Sequence, residues 1–369
     1  MENALTSSIL ETYLASWAQR ERDAVEAGES RLPGPTVREF RSSGVLALPV
    51  PQALGGAGQD LWRTSELIRN VAREAPSTAL CLAMPLGNAG NSRLVPECVS
   101  PSLRGQLEQG RRWIARKALS GAILAVANSE PGSGGDLSAT RTVARRDGEG
   151  ALRLSGEKSF ATLGQDADYF LCSARTEDGS IDAFFVPRKA PGVRVFDDWD
   201  ALGMRATASV GLSLEDVRAE TVFVYPGAIS GISARHWSTL LLAALFVGIG
   251  EGALAAAVEC APKTSEWARS SLAECALQLD AAHGFVEHLA RSEQIPCSSR
   301  YVERCRRAKT FAAQVALECA TRAVVVAGGR SYRPQHPLAR LLLDAVAGPL
   351  LRPPLPQAMD GIAAQLFGS

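Results

Sequence analysis

ANSEPGSGGDL, residues 127–137, follows the apolar run GAILAV at 121–126 and sets three glycines, one proline and two acids in eleven positions. Glycine lets the main chain approach a ligand closely or take φ > 0. The stretch therefore reads either as a surface turn or as a loop that holds something at backbone distance. A phosphate P-loop is excluded, because no Gly-Lys-Ser/Thr closes it. The Gly-x-Gly-x-x-Gly dinucleotide fingerprint is absent too. That fingerprint opens a helix, whereas LSATRTVARR at 137–146 has the β-branched alternation of a strand start. The flanking sequence has to decide between the two readings.

Before the loop, residues 1–118 read as a helical domain. Ile9, Leu10, Tyr13, Leu14 and Trp17 recur at helical spacing, as do Leu67, Ile68 and Val71. Between them lies GVLALPVPQALGGAG (44–58), where Pro49 and Pro51 forbid a regular helix. Around the loop, residues 119–226 change character. TRTVARR, ALRLSG, YFLCSAR, IDAFFVP, GVRVF, VGLSL and TVFVY are short and rich in β-branched and aromatic residues. Asp147-Gly148 and Asp178-Gly179 separate two pairs of them, a hairpin signal. A middle antiparallel β-sandwich or barrel is expected. Residues 227–369 return to helix, with apolar stripes Leu272-Cys275-Leu279-Ala282-Val286-Leu289 and Ala308-Phe311-Val315-Cys319. These predict a C-terminal four-helix bundle and, in sum, an α+β, mostly helical chain.

The chain has 369 residues, 39 basic against 39 acidic, and 46% apolar content. That balance describes a globular protein with no nucleic-acid partner. Eight cysteines form no C-x-x-C pair, which suits a reducing cytoplasm. His283 and His288 miss the i, i+4 spacing of a metal pair, so no metal is expected. MENALTSSIL lacks the features of a signal peptide. The greasiest segment, LLLAALFVGIG at 240–250, is short for a bilayer span, so no membrane partner is expected. That segment and the helix stripes offer more apolar surface than one small bundle usually hides, which points to a homo-oligomer.

Four ordered segments carry a resemblance. GVLALPVPQALGGAG is similar to Gly-Leu-Leu…Pro-Glu-x-x-Gly-Gly-x-Gly. SEPGSGGD from Ser129 is similar to Thr-Glu-Pro-Gly-x-Gly-Ser-Asp. LSGEKSFATLGQDADYFL from Leu154 is similar to Asn-Gly-x-Lys-x-Trp-Ile-Thr-x-Gly, and ALGMRATASVGLSLEDV from Ala201 to Leu-Gly-Met-Arg…Phe-Glu-Asp-Val. Together they make the sequence resemble the acyl-CoA dehydrogenase family of flavoproteins over most of its length. The resemblance implies that the glycine loop lies along a flavin. Val126, Asn128 and Ser129 would lie against it, with Gly135 at the loop end. Phe160 would stack where the family has tryptophan, beside Ala161, and the Thr162 hydroxyl would face the ring. Gly328 and Gly329 match the family's Gly-Gly pair at the far end of the cofactor. The implied cofactor is FAD, with FMN or a loosely held flavin as alternatives. The implied partners are an acyl thioester of CoA or of a carrier protein and a second copy of the chain, as homodimer or homotetramer.

The chain departs from the family where the chemistry is done. The family's base glutamate falls on Arg352 in LLLDAVAGPLLRPPLP (341–356), with Asp344 at the place of the family aspartate. Arginine stays protonated and is no general base. The alternative family position falls near Ser238. Gly135 replaces a serine, Val325 a glutamine, and Thr264–Ala268 the Arg-x-Gln-Phe-Gly that reaches the partner's cofactor. Three readings stay open. One is a flavin-dependent oxidoreductase acting on an acyl thioester with a displaced base, for which Glu251, His236 and His336 are candidates. Another is a monooxygenase on the same fold, fed by a flavin reductase. The last is a non-catalytic binding or assembly subunit. Substrate contacts are expected at Gly135 and Arg352.

Overall fold

The structure, a computed structural model, describes residues 2–220, 224–225 and 235–367. The expected boundary at 226/227 and most of TVFVY lie outside the described residues. Five helices open the chain: α1 (Glu2–Glu26), α2 (Gly34–Ser42), α3 (Leu61–Glu74), α4 (Pro76–Gly90) and α5 (Arg104–Leu119). Asp60 caps α3 by accepting from the Arg63 amide, and Pro76 opens α4. Pro49 and Pro51 lie between two short 3-10 turns, Val45–Ala47 and Gln52–Leu54, instead of in a helix.

Eight strands follow: β1 (Leu124–Ala127), β2 (Val143–Arg146), β3 (Leu152–Ala161), β4 (Tyr169–Arg175), β5 (Ile181–Pro187), β6 (Val193–Val195), β7 (Val210–Arg218) and β8 (Val224–Tyr225). They form one curled sheet in the order β6-β7-β3-β2-β4-β5-β8, with β1 on β4. Both Asp-Gly signals do join antiparallel neighbours, β2 to β3 and β4 to β5. The expectation of a purely antiparallel sheet needs correction, because β1 and β2 each run parallel to β4. A parallel pair needs a crossover of a dozen or more residues. The glycine loop and the β2–β3 hairpin supply it between β1 and β4. The strand expected from Leu137 begins only at Val143. Residues 137–139 form a 3-10 turn, which the Asp136 carboxylate caps by accepting from the Ser138 amide.

The bundle consists of α6 (Arg235–Cys260), α7 (Glu266–Arg291), α8 (Ser299–Ala327) and α9 (Pro337–Leu350), with α10 (Leu355–Phe367) lying on α8. The α7 stripe is buried throughout. On α8, Ala308, Val315 and Cys319 are buried but Phe311 is 38% exposed, and Ala312 takes its place in the core. The spacing i, i+4 from Ala308 fits the buried face, and i, i+3 does not.

Helix α6 is long and apolar enough to cross a membrane by composition. Here it is the central post, packed by α3, α4, α7, α8 and α9. A Cβ on Gly248 would stand 2.2 Å from the Arg69 carbonyl oxygen, and one on Gly252 2.4 Å from that of Arg73. These two glycines form a notch that lets α3 lie directly on α6. The segment 240–250 is therefore covered by its own chain, which removes it as an argument for an oligomer. One hydrophobic core runs from Trp17, Phe40 and Ile68 to Phe246, Val286 and Ala316. All eight cysteines are free, and among the described residues no His/Cys/Asp/Glu group could hold a metal.

Candidate functional site

A cavity of about 1150 Å³ opens between the sheet, α4, α6, α8 and the α9–α10 turn. Its floor is the glycine loop. The loop is anchored at Glu130, whose carboxylate accepts from the amides of Arg141 and Thr142, from Thr142 Oγ1 and from Lys158 Nζ at 2.6 Å. Both side chains are buried, Lys158 at 0% and Glu130 at 3% exposure. Burial pushes the Glu130 carboxyl up, but the hydrogen bonds from Lys158 and Thr142 outweigh it and hold it below its usual range. Lys158 also donates to the Ser173 carbonyl. The ion pair thus ties the loop to β3 and β4 from below.

Phe160 reaches the cavity through a local irregularity. The β3–β7 register shifts between Lys158 and Ala161, and Phe160 takes φ = 57°. A side chain in the left-handed region is strained, and such residues gather at functional sites. The shift turns the ring outward, 63% exposed, against the edge of Trp199. Asn128 Oδ1 and Ser159 Oγ are buried on the same wall without a hydrogen-bond partner among the described residues. Buried polar atoms are normally paired. An exposed aromatic face beside two unmatched polar atoms and a glycine-rich backbone suits a flat heteroaromatic ring with polar edges, as a flavin is.

Of the residues expected at the site, Val126, Asn128, Ser129, Gly135, Phe160, Thr162 and Arg352 line this one cavity. Ala161 is fully buried and points into the sheet core. Gly328 and Gly329 are exposed at the C-terminus of α8 and do not line the cavity. Gly135 has φ = 85°, and a Cβ there would meet Pro354 Cγ at 2.6 Å. The family's serine is excluded by that approach to the α9–α10 turn.

Arg352 stands in the same turn. Its Nη2 donates to Ser129 Oγ at 2.5 Å. Burial pushes its pKa down to about 10, so it is still a cation at neutral pH. The turn is held from behind by Lys309 of α8, 1% exposed, whose Nζ donates to the carbonyls of Gly348 (2.9 Å), Leu351 and Pro353 (3.2 Å). Asp344 is buried and accepts from the Met204 amide at 2.6 Å, and burial raises it to about 7.

The three candidate bases stand elsewhere. Glu251 pairs with Arg69, His236 bonds Glu293 and the Cys297 thiol, and His336 caps α9. None lines the cavity, whereas Ser238 does. Carboxylates on the wall are Glu130, Asp136 and Glu303. The first is locked in its ion pair and the second caps its own turn. Glu303 lies 3.6 Å from both Arg306 and Arg307 at the mouth. Sequence reasoning missed Glu303, Lys309 and the unmatched Ser159. Only Ser159 lies in a segment whose motif drew notice.

Comparison with known proteins agrees with this geometry. Residues 125–217 match the model of the acyl-CoA dehydrogenase middle domain, and residues 240–349 that of an acyl-CoA dehydrogenase C-terminal domain. Short-chain specific acyl-CoA dehydrogenase of Bos taurus mitochondria is 28% identical over 92% of this chain and 85% of its own length. KijD3, solved with FMN and an amino-keto deoxysugar linked to dTDP, superposes with a TM-score of 0.84 and 26% identity over 99% of this chain and 94% of its own. Butyryl-CoA dehydrogenase of Megasphaera elsdenii shares the fold, with a TM-score of 0.83 and 22% identity over 99% and 97%. With two family models covering more than half its length and a cavity walled by two of the four motifs that first suggested it, the chain belongs to the acyl-CoA dehydrogenase family of flavoproteins.

Proposed function

We propose that the chain is a flavin-dependent monooxygenase, supplied with reduced flavin by a separate reductase. The observation that carries this reading is Arg352, a half-buried cation on the cavity wall where dehydrogenation needs a carboxylate. Removal of an α-proton requires a group that accepts it, and a guanidinium only donates. A reduced flavin, when bound, supplies two electrons, so that one atom of dioxygen enters the substrate and the other leaves as water.

The protein's own part is to hold and to exclude. Asn128, Ser129, Ser159, Phe160 and Thr162 would hold the ring. Leu80, Met84 and Leu242 form an apolar wall that keeps water out. The Arg352 guanidinium, fixed on Ser129, keeps further N–H groups for an anionic or carbonyl oxygen of the substrate. FMN is the better cofactor choice than FAD. The Gly328-Gly329 pair stands outside the cavity, and KijD3, at 26% identity, was solved with FMN.

Glu303 favours a second reading, dehydrogenation of an acyl thioester with this wall carboxylate as displaced base. One experiment separates the two. The flavin-loaded protein is mixed anaerobically with saturated acyl-CoA thioesters, and in parallel reduced FMN, labelled dioxygen and a panel of amines, phenols and dTDP-amino sugars are supplied. The proposal expects no bleaching of the flavin in the first arm and label in a product of the second. Rapid bleaching by an acyl-CoA would replace it with the dehydrogenase.

A further inference from the structure

A chain of three hydroxyls runs from the cavity wall into the interior. Thr162 Oγ1 lies 2.9 Å from Ser209 Oγ, which lies 2.8 Å from Thr207 Oγ1. Thr207 Oγ1 in turn lies 2.8 Å from the carbonyl oxygen of Met204. All three side chains are buried, at 6%, 6% and 0% exposure. The far end is fixed, because the Met204 amide donates to Asp344 at 2.6 Å.

The protons in this chain have one consistent order. A carbonyl oxygen only accepts, so the Thr207 proton points at Met204. A hydroxyl has a single proton, so Ser209 must donate to Thr207, and Thr162 must then donate to Ser209. What Thr162 has left for the cavity is a lone pair.

We propose that Ser209 and Thr207 are positioning residues that make Thr162 a hydrogen-bond acceptor towards the bound flavin, so that the site selects the reduced ring. The inference rests on the flavin reading above. Two-electron reduction turns ring nitrogens from acceptors into N–H donors. An acceptor on the wall meets a lone pair in the oxidised ring and a donor in the reduced one. If Thr162 met the N–H that both forms carry, it would not distinguish them.

The test measures affinity of the apo-protein for FMN in both redox states. Oxidised FMN is followed by fluorescence quenching, and reduced FMN by anaerobic titration. Wild type is expected to bind the reduced form more tightly, by roughly three- to tenfold for one hydrogen bond. Ser209→Ala frees the Thr162 proton to face the cavity, and should cut the ratio by a similar factor, chiefly by tightening the oxidised form. Thr207→Val keeps the side-chain shape, and should do the same if Ser209→Ala fails to fold. Thr162→Val should lower the ratio without tightening either form. A purely structural role would weaken both forms together and leave the ratio alone. Equal affinities in wild type, or a ratio that the variants do not move, would overturn the inference while flavin binding stands. If neither form binds, the flavin reading falls, and the inference with it.

Discussion

Replacing Lys309 by methionine sets two opposed effects against each other. The ammonium holds three carbonyls of the turn that carries Arg352, at Gly348, Leu351 and Pro353. The neutral amine, from which the cost of burying the charge is counted, has two N–H donors; at about 1 kcal/mol net for each hydrogen bond, Lys309→Met loses about 2 kcal/mol from this state. Against this, burial pushes the lysine from 10.5 down to about 7. At 1.36 kcal/mol per pH unit, keeping it buried costs the native state about 4 kcal/mol at pH 7. The sign follows from proton linkage. The folded pKa is depressed, so between 7 and 10.5 the unfolded chain binds more protons and stability rises with pH. Above 10.5 the cost vanishes, and it is fully felt once pH falls through 7. At pH 7 the substitution should thus stabilise by about 2 kcal/mol, while at pH 9.5, where the remaining cost is about 1.4 kcal/mol, it should destabilise by less than about 1 kcal/mol, a swing of about 3 kcal/mol. Urea unfolding of both proteins at pH 7, 8 and 9.5 reads this directly. A difference that stays constant across that range would refute the reasoning. The variant should also release the Arg352 turn, which a change in FMN affinity at pH 9.5 would report.

Asp344→Asn keeps an acceptor for the Met204 amide and removes a carboxyl whose pKa is raised to about 7. A raised carboxyl contributes stability below about 3.8 that is lost as pH rises through 7, so the variant should be the more stable at pH 8, by up to about 4 kcal/mol, and no different at pH 3.5 where both still fold. Lys158→Met strands the buried Glu130 and should cost about 3–5 kcal/mol in chemical denaturation; a loss under 1 kcal/mol would show that the carboxylate finds water. Arg352→Glu should allow slow anaerobic flavin reduction by butyryl-CoA if the cavity keeps a dehydrogenase shape, read at the flavin's visible band. Glu303→Gln should leave oxygenase turnover within about threefold, whereas a loss of more than a hundredfold would give Glu303 a chemical role.

Much of the fold was legible because its signals are local. Asp147 accepts from the amides of Glu149 and Ala151, so the turn after β2 is specified by its own residues. The α7 stripe needs only the helical period. What was not legible depends on partners far along the chain. The parallel pairing of β1 with β4 places Leu124 beside Tyr169, and no residue near either announces it. Phe311 fell on the expected stripe, but a helix of 29 residues drifts against any one neighbour, and Ala312 faces the core instead. At the site, the loop, Phe160, Thr162 and the arginine at 352 could be named from the sequence. The lysine behind the turn could not, because its partners are backbone carbonyls, which no side-chain pattern encodes. Gly135 looked like a lost hydroxyl and is a packing requirement of Pro354.

The glycine notch on α6 bears on how the chain is made. Helices α3 and α4 leave the ribosome with an apolar face turned towards a helix that does not yet exist. Residues 248 and 252, against which Arg69 and Arg73 rest, are translated nearly two hundred residues after α3. At about 5–20 residues per second, that delay lasts on the order of ten seconds or more. During this interval the helix that carries Leu67, Ile68 and Val71, fully buried in the finished molecule, can close on α1 and α4 but lacks the α6 surface on which it packs most. Truncation before α6 should therefore yield a sticky fragment rather than a smaller folded protein. Synthesis of the intact chain should depend on chaperone holding in proportion to the pause.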